Sequence, residues 1–326
     1  MNSQIQNNLI ETIREKVPQE KNIAVYLADK LALGRESVYR RLRGEIYFTF
    51  EEIATLSLDL GFSIDNIIGT QKNENALFNI HMLQNTNYLD IYMNKMMEYG
   101  EMFRKMGDKP NTKARISVNT LPYYFHVGYE NLSRFRIYKW LHQNQKIGAN
   151  DKFAEFELPE EIEETHKTFN QDIQKIPDIT IIMDGNIFWS ATKDIAYFMD
   201  RELLSENDVQ MLQNELLNII DVLEETATKG VSKSDARVSI YISSVDLEAS
   251  YLHFENEEQH FSQVRVFSIS AIDSDNEGLC RIQKEWIESL KKYSVLISKS
   301  GEVQRYKYMN RQREIVKNIH CLDAIA

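Results

Sequence analysis

The sequence predicts an all-α N-terminal helix-turn-helix domain of five short helices, joined to a larger α+β C-terminal region. Three observations carry this. Through residues 1–69, apolar residues recur at helical spacing between stops at Pro18, Gly34, Gly44, Gly61 and Gly69. The stretch TQKNENA, 70–76, is polar and reads as a linker. Beyond it, helical patterns mix with short alternating runs, which become dense after Ala236.

In the domain 1–69, the first helix runs from Ser3 to Lys16, with Ile5, Leu9, Ile13 and Val17 four apart, and Pro18 closes it. The second covers Asn22 to Leu31, with Asn22 as its cap and Ile23, Leu27 and Leu31 on one face. A turn, Ala32-Leu33-Gly34, leads into the third, Arg35 to Arg43, which Gly44 ends. The fourth opens on a capping box, Thr49-x-x-Glu52, and buries Ile53, Leu56 and Leu60. A last helical turn from Ser63 carries Ile64, Ile67 and Ile68 to Gly69. Residues 77–235 read as a mainly helical middle region, with helices at 77–106, 129–143, 159–175, 187–204 and 205–228 and strand-like runs at 113–119 and 178–183. Residues 236–326 read as an α+β region. Its strands are RVSIYISS, SYLHFEN, SQVRVFSIS and SVLIS, and its helices lie at 278–292 and 306–319.

At 326 residues, 43% hydrophobic and 27% charged, the chain has the balance of a soluble globular protein with room for two or three cores. No apolar run is long enough to span a membrane. The polar N-terminus lacks a charged-then-apolar secretory pattern. Two cysteines, Cys280 and Cys321, without CxxC spacing, suit a reducing cytoplasm and exclude a disulfide scaffold or thiolate zinc cage. There is no GxGxxG, Walker A loop or GxSxG elbow and no catalytic constellation, so neither a cofactor nor an enzymatic activity is expected.

The net charge is -11, which argues against non-specific coating of nucleic acid. Residues 1–69 hold eight Lys and Arg against ten Asp and Glu, a net -2, leaving -9 for the rest. Against that background GRESVYRRLRG, 34–44, stands out. It places Arg35, Arg40, Arg41 and Arg43 within nine residues, diluted by Glu36 alone. Two helices joined by a tight turn hold the second one proud of the surface, where it fits a major groove about 12 Å wide. Ala28 is the small residue such a crossing needs, and Val38 and Leu42 anchor the second helix to the core. Arg35, Glu36, Ser37, Tyr39, Arg40 and Arg43 are left for the outward side and ends.

Residues 27–69, LADKLALGRESVYRRLRGEIYFTFEEIATLSLDLGFSIDNIIG, resemble the lambda-repressor-like, Cro/Xre-type DNA-binding domain. The resemblance lies in the leucine-alanine pair, the short turn, the polar helix ending at glycine and the closing LGxSxDxLLG-like segment. It implies that Arg35, Glu36, Ser37, Tyr39 and Arg40 face base edges, and that Arg43 and Tyr47 hold phosphates. Three positions depart from the family: Ala24 replaces a frequent glutamine, Ala32 a usual glycine, and Arg41 a frequently buried apolar residue. The stretches 121–140 and 294–316 are similar, more loosely, to the long tail of a group of bacterial regulators headed by a comparable domain. The reading implied is a cytoplasmic, sequence-specific transcription regulator. Its expected partners are double-stranded DNA, a second copy of the chain, and a small-molecule effector of the C-terminal region; no membrane is expected. The rival is a protein-interaction scaffold with a degenerate head.

Elsewhere, HFENEEQH (253–260) puts His253, Glu255 and Glu257 on one strand face, a pattern that suits a metal or a charged hairpin tip. EEIEETH (160–166) reads as a solvated helix face. The aromatic run 121–140 and the methionines at 93, 96, 97, 102 and 106 suit a core, a subunit interface or a small-molecule pocket. Tyr138, Trp140 and Met97 are the expected dimer contacts.

Overall fold

Asn22 begins the second helix as its position requires: its side-chain oxygen accepts from the amides of Ala24 and Val25 at 3.0 and 3.3 Å. Thr49 and Glu52 close their capping box reciprocally, at 3.2 and 2.9 Å. The computed structural model describes residues 2–18, 21–64, 67, 78–81, 88–266 and 269–320, and the chain divides into two units, Met1–Leu77 and Phe78–Ala326. Among the described residues the first unit holds α1 (Asn2–Lys16), α2 (Ile23–Lys30), α3 (Arg35–Leu42) and α4 (Phe50–Leu60). Leu9, Ile13, Leu27, Val38 and Leu56 fill its core, each almost wholly buried. Most of the fifth helix read at 63–69, and the linker 70–76, lie outside the described residues. Ile67 is buried against the same core.

The turn between α2 and α3 has an unusual occupant. Ala32 sits at φ 51°, in the left-handed region that favours glycine. The amide of Leu33 bonds back to Ala28 O at 3.0 Å and that of Ala32 to Asp29 O at 3.5 Å. This is a Schellman closure with alanine in glycine's place. Gly44, at φ 76°, closes α3 in the same way with the usual residue, through Glu45 N to Arg40 O at 2.9 Å. Replacing Ala32 with Gly should therefore stabilise the first unit by about 1 kcal/mol. All three tryptophans, Trp140, Trp189 and Trp286, lie in the second unit. Urea unfolding should thus shift in circular dichroism while tryptophan emission stays in place; an unchanged or lowered dichroism midpoint would refute the strain.

Among the described residues the second unit is built on one eight-stranded sheet. In chain order its elements are β1 (Asn79–His81), α5 (Tyr88–Gly107), β2 (Lys113–Val118), α6 (Tyr123–His126), α7 (Glu130–Gln143), α8 (Glu160–Ile173), β3 (Asp178–Met183), α9 (Ile187–Asp200) and α10 (Glu206–Lys229). Then follow β4 (Arg237–Ser243), β5 (Tyr251–Glu255), β6 (His260–Arg265), β7 (Ala271–Ser274), α11 (Glu277–Leu290), β8 (Ser294–Leu296) and α12 (Glu302–Lys317). The strand order is β1-β7-β6-β5-β2-β3-β4-β8. Its centre, β2-β3-β4, is parallel, with Lys113 opposite Asp178 and Asp178 opposite Arg237, and the remaining pairings are antiparallel.

The side-chain alternation of the central strands sorts the layers. Ile179, Ile181 and Met183 face the main core with Ile116, Val118 and the helices α5, α7, α8, α9 and α10. Ile182 faces the other way, onto Ile287 and Leu290 of α11. Being covered on both sides is why IIM, 181–183, reads as an unbroken apolar run. Arg115 also faces α11, donating to Glu255 at 2.7 Å and Glu288 at 2.5 Å. No helix among the described residues is long and apolar enough to cross a membrane.

Three expectations change here. The division at 236 gives way to a single unit, because β2 and β3 from 77–235 pair directly with β4 and β5 from 236–326. Residues 79–81 form an edge strand where a helix was read, and β7 was not foreseen. Both are three or four residues long, too short to display a period of two. Tyr138 and Trp140 are 0% and 2% exposed, packed in the main core. They cannot contact a second copy; Met97, 56% exposed, can.

Candidate functional site

Val38 and Leu42 turn one side of α3 into the core, and the rest of the helix is arranged around that seam. Glu36, Arg40 and Arg43 stand on the opposite side, all exposed. Tyr39, 42% exposed, flanks them, and Tyr47, 59% exposed, follows in the loop. Arg35, at the N-terminal end, is exposed and forms no ion pair among the described residues. Ser37 is half-buried on the side that turns toward α4.

The exposed arginines are held by acidic neighbours. Arg43 Nε donates to Glu45 at 2.7 Å and its Nη2 lies 3.5 Å from Glu36. Arg40 Nε lies 3.4 Å from the other oxygen of Glu45. The hydrogen bond to Arg43 lowers the Glu45 carboxyl below its usual range, helped by the charge of Arg43 and then of Arg40. Arg43 is raised in turn, first by its bond to Glu45. Exposed pairs of this kind contribute little to stability. Their effect is to keep two guanidiniums extended side by side, with an anionic site already shaped between them.

Arg41 is different. Its Nε and Nη2 donate to the two oxygens of Glu52 at 2.9 and 2.8 Å, and its Nη1 to Ser37 O at 3.2 Å. Both side chains of the pair are nearly covered, at 12% and 14% exposed. A bidentate fork fixes orientation as well as distance, so Arg41 bolts α3 to the first turn of α4 through the glutamate that completes that helix's capping box. On the far side Tyr26 and Lys30 of α2 both bond to Asp59 of α4. Thus α4 braces both arms of the α2–turn–α3 pair.

Sequence reasoning did not find the roles of Glu45, Glu52 and Arg41. Thr49-x-x-Glu52 disclosed Glu52 as a cap, but its second partner lies eleven positions upstream and no local pattern connects them. The departure of Arg41 from an apolar residue was the available signal.

The other candidates resolve into protein contacts. His253 is buried with Nδ1 3.0 Å from Ser262 Oγ, and Glu255 accepts from Arg115 and Lys284, each at 2.7 Å. Glu257 accepts from Asn111 at 2.7 Å. No group of three His, Cys, Asp or Glu among the described residues is placed to hold a metal ion. On α8, Glu160, Glu161 and Glu164 are exposed and Glu163 half-buried, while His166 is buried against Tyr92, 2.8 Å away. Asp184 forms a turn, accepting from the amides of Asn186 and Leu247, both at 2.8 Å. The comparisons add no relative: no family model, curated protein or solved structure matches the chain.

Proposed function

We propose that the protein is a cytoplasmic transcription regulator whose first unit is a lambda-repressor-like helix-turn-helix domain that binds double-stranded DNA through α3. The observation that carries this reading is the exposed face of α3: Arg40 and Arg43 side by side, Tyr39 beside them, and Arg35 exposed at the end. Arg40, Tyr39, Arg35 and Glu36 face base edges, and Arg43 and Tyr47 hold phosphates, while Ser37, half-buried toward α4, leaves the expected set. A phosphate takes the place of the Glu45 carboxylate at Arg43, exchanging one oxyanion for another at little reorganisation. The -9 charge carried beyond residue 69 repels DNA, which leaves α3 as the face of approach.

One recognition helix touches only a few base pairs and discriminates poorly against a genome of competing sites. The regulator therefore works as a homodimer on a two-fold operator, with half-sites about one helical turn, roughly 34 Å, apart. Ile282 and Trp286, one turn apart on α11, are exposed, and Tyr293 beside Trp286 is exposed as well. Such a contiguous apolar face suits a subunit contact, and it replaces Tyr138 and Trp140 as the proposed surface. Light scattering on the full chain should find two chains per palindromic duplex, and Trp286→Ala should shift the free protein toward monomer. A wild-type chain that stays one-to-one on every duplex it binds would end the dimer proposal.

A further inference from the structure

The second unit contains a cavity of about 110 Å³ between the sheet and α5, α6 and α8. At 10–15 Å³ per water-sized occupant it takes a molecule of roughly ten heavy atoms. Its wall is mostly apolar, including Tyr99, Phe103, Ile116, Tyr123 and Phe169, and two cations reach it, Lys95 of α5, which pairs with Glu98, and Arg265 of β6. Arg265 Nη1 donates to Thr120 Oγ1 at 2.7 Å, and the guanidinium lies 5.2 Å from the centre of the Tyr123 ring. The guanidinium of Arg136, on α7, lies 4.3 Å from the same ring centre, and its Nη1 is 3.5 Å from His126 Nε2.

No carboxylate among the described residues pairs with Arg265. Burial lowers its pKa to about 10, with repulsion from Arg136 second. His126 is pushed well below the usual range by burial first and Arg136 next, and His166 falls to about 4 for the same reasons. Burial thus holds both histidines toward the neutral form. Enclosing a cation without a counter-charge is costly, and the guanidinium fork matches a carboxylate in geometry.

We propose that Arg265, with Arg136 beside it, receives the carboxylate of a small organic acid whose apolar body fills the cavity. This does not rest on the DNA reading, and its test contains no DNA, so either can fail alone. Isothermal titration of the full chain with octanoate or phenylacetate should give one site per chain. 1-Octanol and inorganic phosphate, each carrying half of the chemistry, should bind at least about ten-fold more weakly. Arg265→Gln should weaken the acids at least about ten-fold while leaving 1-octanol unchanged. Without ligand, Arg265→Gln should raise the thermal midpoint, because it removes an uncompensated cation. Acids that bind no tighter than 1-octanol, or Arg265→Gln binding them like wild type, would overturn the proposal. So would a lowered ligand-free midpoint, which would make Arg265 a structural residue.

Discussion

Replacing Arg40 with Ala should cost about 1–3 kcal/mol on the preferred duplex and little on random DNA, because it removes a contact to one base edge. Arg43→Ala should instead weaken binding to every sequence and reduce the slope of log affinity against log salt by about one unit. The two effects separate because a base contact carries sequence information and a phosphate contact does not. Glu45 adds a third arm. Its carboxylate, 2.7 Å from Arg43, competes with phosphate for that guanidinium. Glu45→Gln should tighten binding to specific and random DNA alike. Anisotropy titrations over a range of salt read all three. Equal losses on specific and random duplexes for both arginine variants would undo the assignment of roles, and weaker binding by Glu45→Gln would undo the exchange of oxyanions.

The second large effect falls on stability. Arg41→Ala leaves Glu52 with its charge nearly covered and without its fork, and breaking a buried pair costs about 3–5 kcal/mol. With each side chain still about one-eighth exposed, the expected loss is lower, about 2 kcal/mol, after allowance for solvent screening. Glu52→Ala should cost more than Arg41→Ala, since it removes the capping box as well, itself worth about 1 kcal/mol. Since no tryptophan lies in the first unit, both variants should unfold at lower urea by circular dichroism with the tryptophan transition unmoved. Arg41→Ala at wild-type stability would show that the fork only decorates the surface.

Helical spacing, caps and glycine stops were enough to place α1 to α4 within a residue or two, because each is a local signal acting over one or two turns. The strands with long alternating or unbroken apolar runs were legible for the same reason: β2, β3, β4, β5 and β6 each repeat their pattern over five to seven residues. The union of 77–235 with 236–326 was not legible. Pairing β2 with β5 joins Lys113 to Glu255, a separation at which no periodicity survives. The same limit hid the α3–α4 fork and the arginines around Tyr123, whose members come from β6, α6 and α7. Exposed residues of α3 were found because an eight-residue helix shows its buried seam, Val38 and Leu42, in sequence. The fate of the aromatic run 121–140 was decided by packing: Tyr138 and Trp140 went to the core while Tyr123 went to a cavity wall.

The central claim is that α3 reads sequence in double-stranded DNA. Its most direct test is selection by the full chain from a pool of duplexes with a randomised central segment, followed by sequencing of the bound fraction. The account predicts enrichment of a two-fold symmetric motif with half-sites about one helical turn apart, and loss of preference at one position per half-site with Arg40→Ala. A bound fraction with the composition of the input pool would contradict it.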